Sequence, residues 1–124
     1  MAPTEILALQ HFKEFVARLS AQAGTKHFKE IRIGLITSGG MKAFHSKAKN
    51  GKEFLREIEN GEIDIVIGTH ALIYNKVKFK NLAFVVIDEQ HRFGVEQRAK
   101  LKNKSAGEKR IPHFLSLTAT PIPR

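Results

Sequence analysis

Asp88 and Glu89 stand side by side at the end of an apolar run, Phe84-Val85-Val86-Ile87. Three of those four residues are β-branched, the composition of a short buried strand. Open α/β sheets bind their ligands beyond the carboxyl ends of the strands. A strand that delivers two adjacent acids there has the layout of a nucleotide-hydrolysis site. One acid can hold Mg²⁺, directly or through a water, and the next can orient the attacking water. A second apolar run, residues 113–117, ends in Thr118-Ala119-Thr120. Two strands would thus bring polar residues to neighbouring positions on one sheet edge. Taken alone, the acid pair also fits a strand running into a solvated turn. The two threonines also fit hydroxyls that cap backbone groups.

Positioning such residues requires strands that alternate with helices. Thr4 can cap a helix over residues 5–22, with Glu5 in its first turn. Ile6, Leu9, Phe12, Phe15, Val16 and Leu19 recur at helical spacing and predict its buried stripe. Gly24 helps to end it. Strands are expected over 31–36, 63–67, 84–87 and 113–117. Residues 37–49 carry Ser, Gly and Lys without periodicity and read as a loop. Asn50 and Glu53 have capping-box spacing and open a helix over 51–60, closed by Asn60-Gly61. Thr69 can cap a short helix running to Tyr74. Residues 95–102 read as helix and 103–110 as a basic loop. The alternation predicts an α/β fold with a mainly parallel sheet and right-handed crossovers.

A chain of 124 residues suits one domain with one core. No run approaches the roughly 18 apolar residues of a membrane span, and the first residues lack the basic start of a signal peptide. The absence of cysteine excludes disulfides and thiolate metal sites and agrees with a reducing cytoplasm. Twenty-one Lys and Arg against 12 Asp and Glu leave a formal net charge of +9. Such an excess fits either a lysine-rich soluble surface or a polyanionic partner, nucleic acid above all. With no Trp and one Tyr, stacking of successive bases is not expected, so contacts should be to backbone phosphate.

Several segments occur together and in order: Met1-Ala2-Pro3-Thr4-Glu5-Ile6-Leu7-Ala8, Thr37-Ser38-Gly39-Gly40, Ile67-Gly68-Thr69-His70-Ala71-Leu72, Asp88-Glu89-Gln90-His91-Arg92-Phe93-Gly94-Val95 and Leu117-Thr118-Ala119-Thr120-Pro121-Ile122-Pro123-Arg124. The series closely resembles superfamily 2 helicases, and within them the RecG-type ATP-dependent DNA helicases. The resemblance covers the chain except residues 40–52 and 103–110. It implies a three-layer RecA-like fold, use of ATP with Mg²⁺, and remodelling of branched DNA in repair and recombination. It implies that Asp88 is the magnesium-associated acid and Glu89 the catalytic glutamate. His91 resembles the residue linking that site to the Thr-Ala-Thr segment, and Thr118 and Thr120 resemble residues coupling the phosphate site to the DNA side. Gln90 separates the chain from the transcription-repair coupling factor, a related translocase that usually carries Glu there.

Three further segments resemble contacts to the DNA backbone. Pro3-Thr4-Glu5 sits at a helix start, where free N–H groups and the helix dipole favour phosphate oxygens. Gly68-Thr69-His70 repeats that geometry, and Ser38 and Gly39 belong to the third segment. Each also fits an ordinary cap or turn. No Gly-x-x-x-x-Gly-Lys-Ser/Thr sequence occurs among the 124 residues. The resemblance therefore implies part of a first motor domain without its Walker A segment, inactive toward ATP by itself. Its partners would be the rest of the helicase chain, with a wedge domain and a second motor domain, in a cytoplasmic, nucleoid-associated monomer. The alternatives are the equivalent segment of a transcription-repair coupling factor and a basic DNA-binding module without enzymatic activity.

Overall fold

The computed structural model describes residues 1–22, 30–74, 76–88, 94–104 and 111–117. In chain order these contain α1 (Glu5–Gln22), β1 (Ile33–Thr37), β2 (Gly40–Phe44), α2 (Gly51–Glu59), β3 (Ile65–Gly68), α3 (Ala71–Tyr74), β4 (Phe84–Asp88), α4 (Val95–Asn103) and β5 (His113–Leu117). The expected alternation of helix and strand is present. The strands form two small sheets, β2-β1-β3 and β4-β5. Strands β1 and β3 pair in parallel, as do β4 and β5.

Alternation along β1 separates two cores. Ile33 and Leu35 point toward α1 and pack with Ala8, Phe12 and Ile67. Ile36 points the other way, among Phe54 and Ile58 of α2 and Leu72 of α3. Helices thus cover both faces of the first sheet, the layering expected of the fold class. The stripe of α1 differs from the expected one. Leu9, Val16 and Leu19 pack at its margin, but Ile6 is 79% exposed and Phe15 44% exposed. Ile6 lies two positions before Ala8, about 200° round the helix, and so faces away from the sheet. In the third cluster Leu101 of α4 covers Val85 and Ile87 of β4.

Residues 37–49 are not all loop. Gly40–Phe44 forms β2, an antiparallel partner of β1, with Thr37 opposite Gly40 and Ser38-Gly39 as a two-residue turn. Gly40 has φ +142°, a value that strains any residue with a Cβ. The strand escapes a periodicity search because Gly40 to Ala43 are all exposed, leaving no buried face to impose alternation. Strand β1 begins at Ile33 rather than residue 31, because the Arg32 N–H is drawn aside to Asp64 Oδ2 at 2.9 Å.

Helix α2 has the predicted ends. Asn50 Oδ1 accepts the Glu53 N–H at 2.9 Å, and Glu53 Oε2 accepts the Lys49 N–H at 2.8 Å. Asn60 is its C-cap, followed by Gly61 at φ +75°. Between the two sheets the backbone of Met1 and Ala2 makes the link. Ala2 N–H donates to Gly68 O at 2.8 Å, the Met1 amino group to Val86 O at 2.6 Å, and Asp88 N–H to Met1 O at 3.0 Å. The carboxyl ends of β3 and β4 therefore meet beside residues 1 and 2.

Candidate functional site

The convergence of strand ends decides which side chains can act together. Asp88 is the last residue of β4 and stands opposite Leu117, the last residue of β5. The two apolar runs are thus neighbours and end level with one another, as the sequence suggested. Asp88 is backed on its own strand by buried Ile87 and held through its N–H by Met1. Its carboxylate is about one-third exposed, and Oδ2 lies 3.8 Å from His11 Nε2 of α1. Glu89, Gln90, His91, Thr118 and Thr120 lie outside the described residues.

The chemistry of the donor set is compatible with Mg²⁺. Asp88 offers hard carboxylate oxygens at an accessible strand end. Among the described residues no three His, Cys, Asp or Glu side chains converge as a metal cage. Mg²⁺ in phosphate-transfer sites typically takes one or two carboxylates and fills its remaining positions with phosphate oxygens and water. Carboxylate oxygen at an accessible strand end therefore suits it, whereas the described residues would not make a structural zinc site.

The three segments expected to meet phosphate lie on the same edge. Thr69 N–H donates to Ile36 O at 3.3 Å, which sets the start of α3 against the end of β1. Residue 2 bonds to Gly68, so Pro3 and Thr4 follow directly beside β3. Glu5 closes the group: its Oε1 accepts from Ser38 Oγ at 2.5 Å and from Gly39 N–H at 2.7 Å. The Ser38 hydroxyl, and after it the Gly39 N–H, hold the Glu5 carboxyl below the usual carboxylate range. Neither the contact nor its partner was legible from local spacing, because Glu5 and Ser38 are joined only by the fold.

The threonine hydroxyls in these segments also serve their own backbone. Thr4 Oγ1 accepts the Leu7 N–H at 3.2 Å, as an N-cap does. Thr69 Oγ1 accepts from Ala71 N–H at 3.4 Å. The ring of His70 lies 6.3 Å from that of Tyr74. Gly68 is needed for packing: a Cβ there would stand 2.3 Å from Ile36 O and 2.8 Å from Leu72 Cγ. The residue that lets backbone approach closely thus does so first for β1 and α3.

One contact beside the acid has no signature in the sequence. His11 faces Asp88 across the fold, with no local signal in its own helix. Beyond the Ser38-Gly39 turn, four of the basic residues counted in the sequence are all exposed: Lys42 on β2, Lys47 and Lys49 between β2 and α2, and Lys52 on α2. Lys42 and Lys49 line an open groove of about 200 Å³ with Met41, Asn50 and Phe54. No residue of β4 lines that groove, so it is separate from the acid.

The whole chain, residues 1–124, matches the DEAD/DEAH box helicase family. It is 47% identical over 124 residues to the ATP-dependent DNA helicase RecG of Bacillus subtilis, covering 100% of this chain and 16% of that protein. The RecG proteins of Aquifex aeolicus and Synechocystis are 44% and 42% identical, again over 100% of this chain, which covers 14% and 13% of their lengths. The chain thus spans about one-sixth or less of the curated relatives it matches.

Proposed function

The chain belongs to the DEAD/DEAH box helicase family, and on that premise we propose that it is a motor segment of an ATP-dependent DNA helicase of the RecG type, acting on branched DNA. The observation that carries this reading is 47% identity to a named DNA helicase over all 124 residues. The parallel β4–β5 pair, with an accessible acid at its carboxyl end, supports it independently.

In this reading Asp88 presents carboxylate oxygen to Mg²⁺–ATP, and Glu89 orients a water for attack on the γ-phosphate. His91, with Thr118 and Thr120, relates the hydrolysis site to the DNA side, and Gln90 belongs to the same signature. Bound Mg²⁺ would neutralise charge on the phosphate oxygens. Pro3, Thr4, Ser38, Gly39, Gly68, Thr69 and His70 meet the DNA backbone along the edge where their segments converge, and Glu5 keeps the Ser38-Gly39 turn in place. The phosphate-cradling loop, wedge domain and second motor domain would come from the rest of a longer protein. The exposed apolar residues Phe84, Leu115 and Leu117 on the β4–β5 sheet are the kind of surface such a neighbour covers.

The test is conversion of labelled fork DNA by the full-length protein with ATP and Mg²⁺, beside a linear duplex of the same sequence. ATP-dependent conversion of the fork is expected. A protein that turns over ATP but leaves the fork intact would count against branched DNA as the substrate.

A further inference from the structure

We propose that His11 is a positioning residue for Asp88, fixing the orientation of its carboxylate so that one oxygen stays presented for Mg²⁺–ATP. The inference rests on the role given to Asp88 above. His11 Nε2 lies 3.8 Å from Asp88 Oδ2, and both side chains are partly screened, at 42% and 34% exposure. That separation exceeds a hydrogen bond of about 2.7–3.2 Å. The pair therefore stands at ion-pair distance, within 4.0 Å, and the proposed role requires it to close when Mg²⁺–ATP binds.

The backbone on both sides of this contact is held. Asp88 N–H is bonded to Met1 O, so its main chain is fixed and the freedom left to it is in the side chain. His11 is next to Phe12, which is buried with Ala8 against β1 and β3, so packing determines which way His11 faces. The start of α1 is held by Glu5 on Ser38 and Gly39. Six residues of helix, roughly 9 Å, separate Glu5 from His11. One rigid element thus reaches from the turn proposed for DNA to the acid proposed for Mg²⁺. An imidazole N–H facing one carboxylate oxygen restricts rotation of the group and leaves the other oxygen outward. Partners of this kind around metal-binding ligands typically account for about 10- to 100-fold in metal affinity.

The experiment uses the full-length protein and its His11→Ala, His11→Gln and Asp88→Asn variants. The Mg²⁺ concentration for half-maximal binding of a fluorescent ATP analogue is measured together with thermal stability. His11→Ala should raise that concentration about tenfold without lowering the melting temperature. His11→Gln keeps an N–H donor at similar reach and should restore most of the loss. If His11→Ala leaves the Mg²⁺ requirement unchanged while Asp88→Asn raises it, His11 has no such role and Asp88 keeps its own. If Asp88→Asn also changes nothing, the reading of Asp88 falls and this inference with it. Equal loss in both His11 variants, with a lowered melting temperature, would mark a structural residue only and overturn the inference.

Discussion

Glu5 carries a negative charge into a segment proposed to meet phosphate, yet its carboxylate is already engaged by Ser38 and Gly39. We read it as the group that holds the turn. Because its carboxyl lies below the usual range when folded, the ionised form favours the folded turn. That contribution is complete above the ordinary glutamate value and is lost as pH falls through the lower folded one. The Gly39 amide signal, followed by NMR, should titrate with a midpoint below that of an unperturbed glutamate, and Glu5→Gln should remove the transition. A midpoint at the ordinary value would contradict the contact. Asp88 was legible from sequence because an apolar run ending in acids is a local pattern. Glu5 with Ser38, and His11 with Asp88, were not, since both pairs are brought together only by the packing of α1.

The elements were legible where burial imposes a period or a cap marks an end. Helix α2 follows from Asn50, Glu53 and Gly61, and β4 and β5 follow from their apolar runs. Strand β2 was hidden because its residues are exposed, although Gly39-Gly40 after a strand is a hairpin signal. Gly68 joins these levels, as β1 and α3 close directly on its Cα. Gly68→Ala should destabilise the protein by about 1–3 kcal/mol, the usual cost of overpacking, because a backbone oxygen at 2.3 Å cannot retreat as a flexible side chain can. Gly51→Ala is the contrast: the new methyl would meet only Met41 Sδ at 3.5 Å, an ordinary contact, at the start of α2. It should be neutral or stabilising by up to about 1 kcal/mol. Chemical denaturation of both variants checks the pair. Equal effects would mean that the close approach at Gly68 is not what requires glycine there.

Across the 124 residues, a net charge of +9 and an edge built from turns and helix starts predict binding directed at the DNA backbone. Each phosphate neutralised by Lys or Arg adds roughly 0.7–0.9 to the log–log salt slope, whereas a neutral contact such as Thr69 fixes position and adds little. Thr69→Ala should therefore weaken binding about equally on two branched DNAs of unrelated sequence, with the salt slope nearly unchanged. A loss confined to one sequence would indicate base readout. The 124 residues contain no Gly-x-x-x-x-Gly-Lys-Ser/Thr sequence, so this segment expressed alone should not hydrolyse ATP even with DNA present. Turnover above that of its Glu89→Gln variant would contradict that expectation.

In the proposed function Asp88, at the end of β4, and the following Glu89 drive ATP hydrolysis. The most direct test is the steady-state turnover of the full-length protein on branched DNA, compared with Glu89→Gln, alongside nucleotide binding by each. The substitution keeps the shape and removes the carboxylate proposed to orient water. Turnover should fall by about 10² to 10⁴, the usual worth of a positioned base, while nucleotide binding persists. Turnover within about twofold of wild type would contradict the account, since a residue acting on the attacking water cannot be replaced so cheaply.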